Sequence, residues 1–330
     1  MNLPTKLFLF LLLAILSGLT PIFAQTTISR LSDDQFEILL NDRNCKDIRI
    51  LQVTDLHLGK KGFWKQDLTS FKRIKKLVEM HNPHLIAVTG DLFTGEKYFG
   101  SLLAAFAVQF FDGLERPWLY VFGNHDPEGG FGRDQIYEVF SESKWGVLGF
   151  HKVSGDLKKK YDYVVNLKTG QDAKPGWEIY AFDSGAEKGF KSIKQDQLEW
   201  YKKQSAQSFL SNKEKIRAIS IFHIPLIQYQ ELWDDPSIPK HGESKEKVCY
   251  EEDNGSVYKA FLEIGNIEAT FCGHDHYNNY WGKYHGGIIL AYGYISGEAT
   301  NWAWPTGGKL IKLPLDGGEI GIENVVPVFE

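Results

Sequence analysis

Five short apolar-rich runs in this chain each end in side chains able to bind a metal ion or a phosphate. Ile48–Thr54 runs into Asp55-Leu56-His57, Leu85–Thr89 into Gly90-Asp91, and Trp118–Phe122 into Gly123-Asn124-His125-Asp126. Ala218–Phe222 runs into His223-Ile224-Pro225, and Ala269–Cys272 into Gly273-His274-Asp275-His276. Short runs of this kind, rich in β-branched residues, predict buried strands. In an extended segment residues i and i+2 face the same way, so Asp55 and His57 leave their strand toward one spot. Taken singly, each cluster has an ordinary explanation: a Gly-Asp turn, a satisfied core histidine, a solvated loop aspartate. Their recurrence at five strand ends points to a metal site.

The segments between these runs constrain the fold. Leu68, Phe71, Ile74, Leu77 and Val78 recur at helical spacing, with Asp67 as the expected N-cap and Asn82-Pro83 as the stop. A second helix is expected from about Phe99 to Phe111. Strand, helix, strand, helix, strand in succession predicts a largely parallel sheet covered by helices, with functional groups at its carboxyl ends. After a helix over Phe131–Phe140, the strands Tyr161–Leu167 and Glu178–Phe182 leave no room for crossover helices. Ser192-x-x-Gln195 reads as a capping box opening a helix through Tyr201. Asn254 is the expected cap of a helix that runs to Ile264 and stops at Gly265. The glycine-rich remainder predicts closing hairpins of a second sheet. The expected class is α/β, with two sheets and flanking helices, and without any linker residues 25–330 read as one domain.

Residues 1–24 read as a targeting segment. Lys6 precedes the apolar stretch Leu7–Leu16, and Ile22-Phe23-Ala24 offers a cleavage site before Gln25. The apolar stretch is shorter than the ~20 residues a membrane span needs, so the expectation is an exported chain, periplasmic or secreted, without stable membrane insertion once the segment is removed. Beyond it stand 36 basic and 42 acidic residues. That balance argues against sequence-independent nucleic-acid binding, which needs a basic footprint. In an oxidising compartment a Cys45–Cys249 bridge is conceivable, whereas Cys272, inside an apolar run, reads as a small buried hydrophobe.

In order and spelling the five blocks resemble those of the calcineurin-like metallophosphoesterases, whose signature is D-x-H, G-D, G-N-H-[DE], a lone His and G-H-x-H. The resemblance runs from about Ile48 to Ala291. The Gln-Val-Thr-Asp opening and the Cys-Gly-His-Asp-His block are similar to the purple-acid-phosphatase-related branch. That branch's purple enzymes carry a metal-binding Tyr three residues after the Gly-Asp aspartate, where this chain has Thr94.

The resemblance implies a sandwich of two packed mixed β-sheets flanked by helices, in the order αββα, and two metal ions. Asp55, His57 and His276 would hold one ion and Asn124, His223 and His274 the other, with Asp91 bridging. Imidazole, carboxylate and carbonyl donors together suit Mn, Fe or Zn. Such a pair clamps a phosphate and acidifies a bridging water to hydroxide. The implied role of His125 is catalytic, binding phosphate and protonating the leaving group, while Asp126 reads as orienting His125 or fixing its loop. The expected partner is a small phosphorylated substrate, a monoester in preference to a diester. A diesterase or nuclease of the same fold, or a catalytically silent metal-containing binding protein, stands as the alternative. Trp302 and Trp304, near Tyr292 and Tyr294, read as packing residues before cleft residues. The Trp233–Glu252 loop reads equally as a specificity element or an ordinary insertion, and His151, His241 and His285 match no block.

Overall fold

A computed structural model describes residues 26–42, 45–60, 65–94, 100–128, 131–152, 159–170, 174–186, 191–301 and 304–329. The expected targeting segment, residues 1–24, and Trp302 lie outside these.

Among the described residues one sheet has six strands and the other nine. The parallel centre of the six-stranded sheet is β3 (Asp47–Val53), β4 (Leu85–Thr89), β5 (Trp118–Val121) and β6 (Gly146–Val147). On the other side of β3 lie the antiparallel β16 (Gly308–Pro314) and β17 (Gly321–Val325). The parallel centre of the nine-stranded sheet is β10 (Trp177–Ala181), β11 (Ala218–Ile221), β13 (Ile267–Cys272) and β15 (Ile289–Tyr292). It is flanked on one side by β9 (Tyr163–Thr169), β2 (Gln35–Leu40) and β1 (Thr27–Arg30), and on the other by β14 (Trp281–Lys283) and β12 (Lys240–His241). Two short strands, β7 (His151–Lys152) and β8 (Lys159–Lys160), form a separate ribbon.

Side-chain alternation stacks these layers. In the nine-stranded sheet Ile179, Ile219, Ile221, Ala269, Phe271 and Ala291 join one apolar core with Ile50, Leu85 and Ala87 of the six-stranded sheet. Their neighbours Tyr180, Ala218, Phe222, Cys272, Leu290 and Tyr292 turn the other way. They pack with helices α4 (Gln195–Asn212), α5 (Ile227–Asp234) and α6 (Ser256–Ile264). Helices α1 (Lys65–His81), α2 (Gly100–Asp112) and α3 (Arg133–Ser141) bury Ile74, Leu77, Leu103, Ala107, Phe111, Ile136 and Phe140 against the six-stranded sheet. A period-two pattern in strands sandwiched by helices gives this αββα order.

Several local expectations change. Asp67 lies inside the first turn of α1, where its carboxylate accepts from Gly59 N–H (3.1 Å). Helix α4 opens two residues later than the expected box, with Gln197 capping Lys194 N–H (2.8 Å), and runs on to Asn212. The closing hairpins divide: β14–β15 extends the nine-stranded sheet, but β16–β17 returns to pair with β3. Cys45, Cys249 and Cys272 are all free thiols, so the conceivable bridge is not formed. Gly265 does end α6, at φ +69°, donating its N–H to Phe261 O (2.8 Å).

Candidate metal centre

All five sequence clusters meet where the parallel strands of both sheets end. Beyond the strands the backbone ladder continues: Asp55 N–H donates to Gly90 O (3.1 Å), His57 N–H to Asp91 O (2.9 Å) and Gly273 N–H to His223 O (3.0 Å). The two sheets are tied together at this point. Gln52 donates to Cys272 O (2.9 Å) and His274 N–H to the Asp55 carboxylate (3.1 Å). Asp55, His57, Asp91 and His274 all have left-handed backbones, with φ between +47° and +79°. Non-glycine residues seldom adopt that conformation, and such strain gathers at functional sites.

Two clusters result. Asp55, His57 and His276 form one and Asp91, His223 and His274 the other, and within each the donor atoms lie within 4.8 Å of one another. His57 Nε2 is 3.1 Å from His276 Nε2, and His276 Nε2 is 3.6 Å from Asp55 Oδ1. In the second cluster His223 Nε2 lies 3.3 Å from His274 Nδ1 and 3.1 Å from Asn124 Oδ1. Asp91 Oδ2 sits between the clusters, 3.6 Å from His57 Nε2 and 3.3 Å from His223 Nε2.

The donor set fits two borderline cations: four imidazoles, two carboxylates and an amide oxygen. The ring nitrogens facing away are already engaged. His223 Nδ1–H donates to Thr89 O (2.8 Å), and Thr94 Oγ1 is hydrogen-bonded to His57 Nδ1. Each leaves Nε2 to face the cluster, the outer support that metal-binding histidines need. Burial pushes His57 and His274 down to about 3 and His276 to about 4, which keeps these rings neutral and able to bind metal at neutral pH. Burial alone would raise Asp91 and lower His223. Their mutual attraction outweighs it, holding Asp91 well below the usual carboxylate range and raising His223 to about 10. Burial, with the Asp91 charge nearby, raises Asp55 to about 7.

The motif glycines are explained by close approach. A Cβ on Gly123 would stand 2.2 Å from both Asp91 N and Asp91 Oδ1, and one on Gly273 would stand 2.1 Å from Thr54 Oγ1. Asp126 takes the loop-fixing role: its carboxylate accepts from the N–H groups of Asp91 (3.0 Å), Phe93 (2.9 Å) and Gly123 (2.6 Å). His125 stands at the solvent side of the site, its ring 5.2 Å from that of His57 and its backbone N–H donating to Asp91 Oδ1 (2.8 Å). Its Nδ1 meets Glu128 Oε1 at 2.7 Å.

Sequence reasoning missed Glu128, whose only signal is its place three residues after His125. It also missed the strut behind the last block, where buried Asp275 accepts from Tyr292 O–H (2.5 Å) and Cys249 N–H (3.1 Å). Tyr292 and Tyr294 are buried, as packing residues should be, and Trp304 stacks under Lys245 Nζ at 4.1 Å. His151 pairs with Asp162 (2.8 Å), His241 stacks on Trp281, and His285 pairs with Asp235 at the surface. A third grouping, Asp42, Cys45 and His84, lies apart. There Arg49 N–H donates to His84 Nδ1 (2.9 Å), which puts the proton on the nitrogen facing Cys45 and leaves no lone pair for a cation.

This double-sheet α/β sandwich, with paired metal-ligand clusters at its strand ends, defines a class by fold and site together. The chain belongs to the calcineurin-like phosphoesterase family, whose profile matches residues 48–278. It is similar to "Probable inactive purple acid phosphatase 28" of Arabidopsis thaliana, 29% identical over 308 residues that cover 80% of this chain and 75% of the plant protein. It is also similar to "Phosphatase DCR2" of Saccharomyces cerevisiae, 25% identical over 261 residues, covering 70% of this chain and 44% of the yeast protein. Among solved structures, a dimetal phosphatase from Danio rerio shares the fold, with a TM-score of 0.60, 11% identity and coverage of 85% of this chain and 96% of that one.

Proposed function

We propose that the chain hydrolyses phosphoric monoesters at a dinuclear metal centre. Asp55, His57 and His276 would hold one ion and Asn124, His223 and His274 the other, with Asp91 shared between them. The observation that carries this reading is the Asp91 carboxylate, one oxygen of which is within 3.6 Å of a ring nitrogen in each cluster. Two cations held there supply the charge that grips a phosphate and acidifies water near neutral pH. His125 supplies the proton for the leaving oxygen, and its place at the exposed edge of the cluster supports that role. Asp126 keeps Asp91, Phe93 and Gly123 in register through its three backbone bonds, and with them the loop that carries His125.

The reading includes export directed by residues 1–24. Among the described residues no helix is long and apolar enough to cross a membrane. A second reading, a catalytically silent binding protein, draws on the "probable inactive" name of the plant relative. The intact ligand set here favours the enzyme. The test is metal analysis of purified protein followed by hydrolysis of mono- and diesters with Mn, Fe and Zn. Two bound metals with no hydrolysis across the panel would favour the silent protein.

A further inference from the structure

We propose that Glu128 positions His125, its carboxylate holding the imidazole by Nδ1 so that Nε2 is left to face the ester's leaving oxygen. The inference deepens the esterase reading above and rests on it. Glu128 grips His125 twice, by the 2.7 Å contact between Oε1 and Nδ1 and by its own N–H on His125 O (3.0 Å). The neighbouring groups that could have oriented the ring are otherwise engaged. Asp126 directs both carboxylate oxygens to the backbone of Asp91, Phe93 and Gly123, and Thr94 faces His57.

The His125 and Glu128 side chains are 38% and 43% exposed, so the pair adds little to stability, as exposed ion pairs generally do. Its effect lies in geometry. An exposed imidazole samples several rotamers and two ring flips, and a bond at Nδ1 selects one of them. In the reaction the P–O bond to the leaving group breaks and its oxygen takes the proton from Nε2. Water supplies the oxygen of the new P–O bond and returns a proton to His125. Glu128 acts through His125 alone, stabilising the Nδ1–H side of the ring throughout.

The test uses the full chain loaded with zinc, its Glu128→Ala, Glu128→Gln and His125→Ala variants, and two esters, an aryl phosphate with a good leaving group and an alkyl phosphate with a poor one. Glu128→Ala should lower kcat on the alkyl ester about tenfold more than on the aryl ester, with KM within about twofold and metal content unchanged. Glu128→Gln, whose amide oxygen still accepts from Nδ1–H, should fall between wild type and Glu128→Ala. Nitrogen NMR of His125 should show a held Nδ1–H form in the wild type that is lost in Glu128→Ala. An unchanged ratio of kcat between the esters, together with an unchanged His125 spectrum, would overturn the assignment while leaving the esterase reading intact. If the wild type hydrolyses neither ester, the esterase reading fails by itself. The spectrum then decides whether Glu128 holds the ring: loss of the Nδ1–H form supports it, and no change overturns it.

Discussion

Asp91 Oδ2 lies 3.3 Å from His223 Nε2, and both side chains are shut off from solvent. A charge so deep is tolerated only when it is paired, and here the partners are ligand-type nitrogens on two sides. Asp91→Asn keeps the shape and removes the charge. Turnover is expected to fall at least ~100-fold, with bound metal reduced and far-ultraviolet circular dichroism unchanged. An Asn variant that keeps two metals per chain and wild-type turnover would contradict a bridging role.

Thr94 holds the far nitrogen of His57. Thr94→Val keeps the volume but removes the hydroxyl, freeing the ring to rotate. Metal affinity, read by competition with a chelator, should weaken by roughly 10–100-fold, the usual effect of losing an outer partner. Wild-type affinity would mean that packing alone orients His57.

Gly273 leaves no room for a methyl group, since its Cβ would stand 2.1 Å from Thr54 Oγ1 and 2.8 Å from Asp55 Oδ2. Gly273→Ala should cost about 1–3 kcal/mol in urea unfolding, as overpacked sites do. It should lower metal content as well, because Thr54, the group met first, donates to Asp55 Oδ2 (2.7 Å), and Asp55 is itself crowded. A variant as stable and as metal-rich as wild type would show that the loop gives way freely.

His84 gives a stability signal away from the metal centre. Burial, then the nearby Arg49 charge, lowers its imidazole from 6.5 to about 4. The folded protein therefore favours the neutral ring. That contribution is whole above pH 6.5 and is lost as pH falls through about 4. Unfolding free energies of wild type and His84→Asn, measured after chelation of metal, should converge by about 3 kcal/mol between these limits. Parallel curves would place the acid sensitivity elsewhere.

The strands and their terminal ligand blocks were legible because a fully buried parallel strand has to be an apolar run, and a ligand has to interrupt it. Asp55, His57, Asp91, Asn124, His125, His223, His274 and His276 follow from that rule, and the structure brings them together. The second half of α4 was not legible: Lys202 to Asn212 is polar with little helical periodicity, and buried Gln204 serves the core by hydrogen bonds to Gln35 and Asp34. Helix α5 was hidden for a related reason, since Ile227–Asp234 mixes buried Tyr229 and Leu232 with polar residues beside a proline. The return of β16 to β3 is a long-range pairing that local pattern does not encode. Glu128 and Asp275 each act through a pair of hydrogen bonds, and nothing in their neighbours' identities announces them.

The ligand blocks are divided between the sheets, three carried by the six-stranded sheet and two by the nine-stranded one. Cations bound across that seam would rivet the sandwich shut, adding their binding free energy to its resistance to unfolding. Metal supply would then govern survival as well as turnover. Chains made in scarcity would lack that brace and open more readily along the seam.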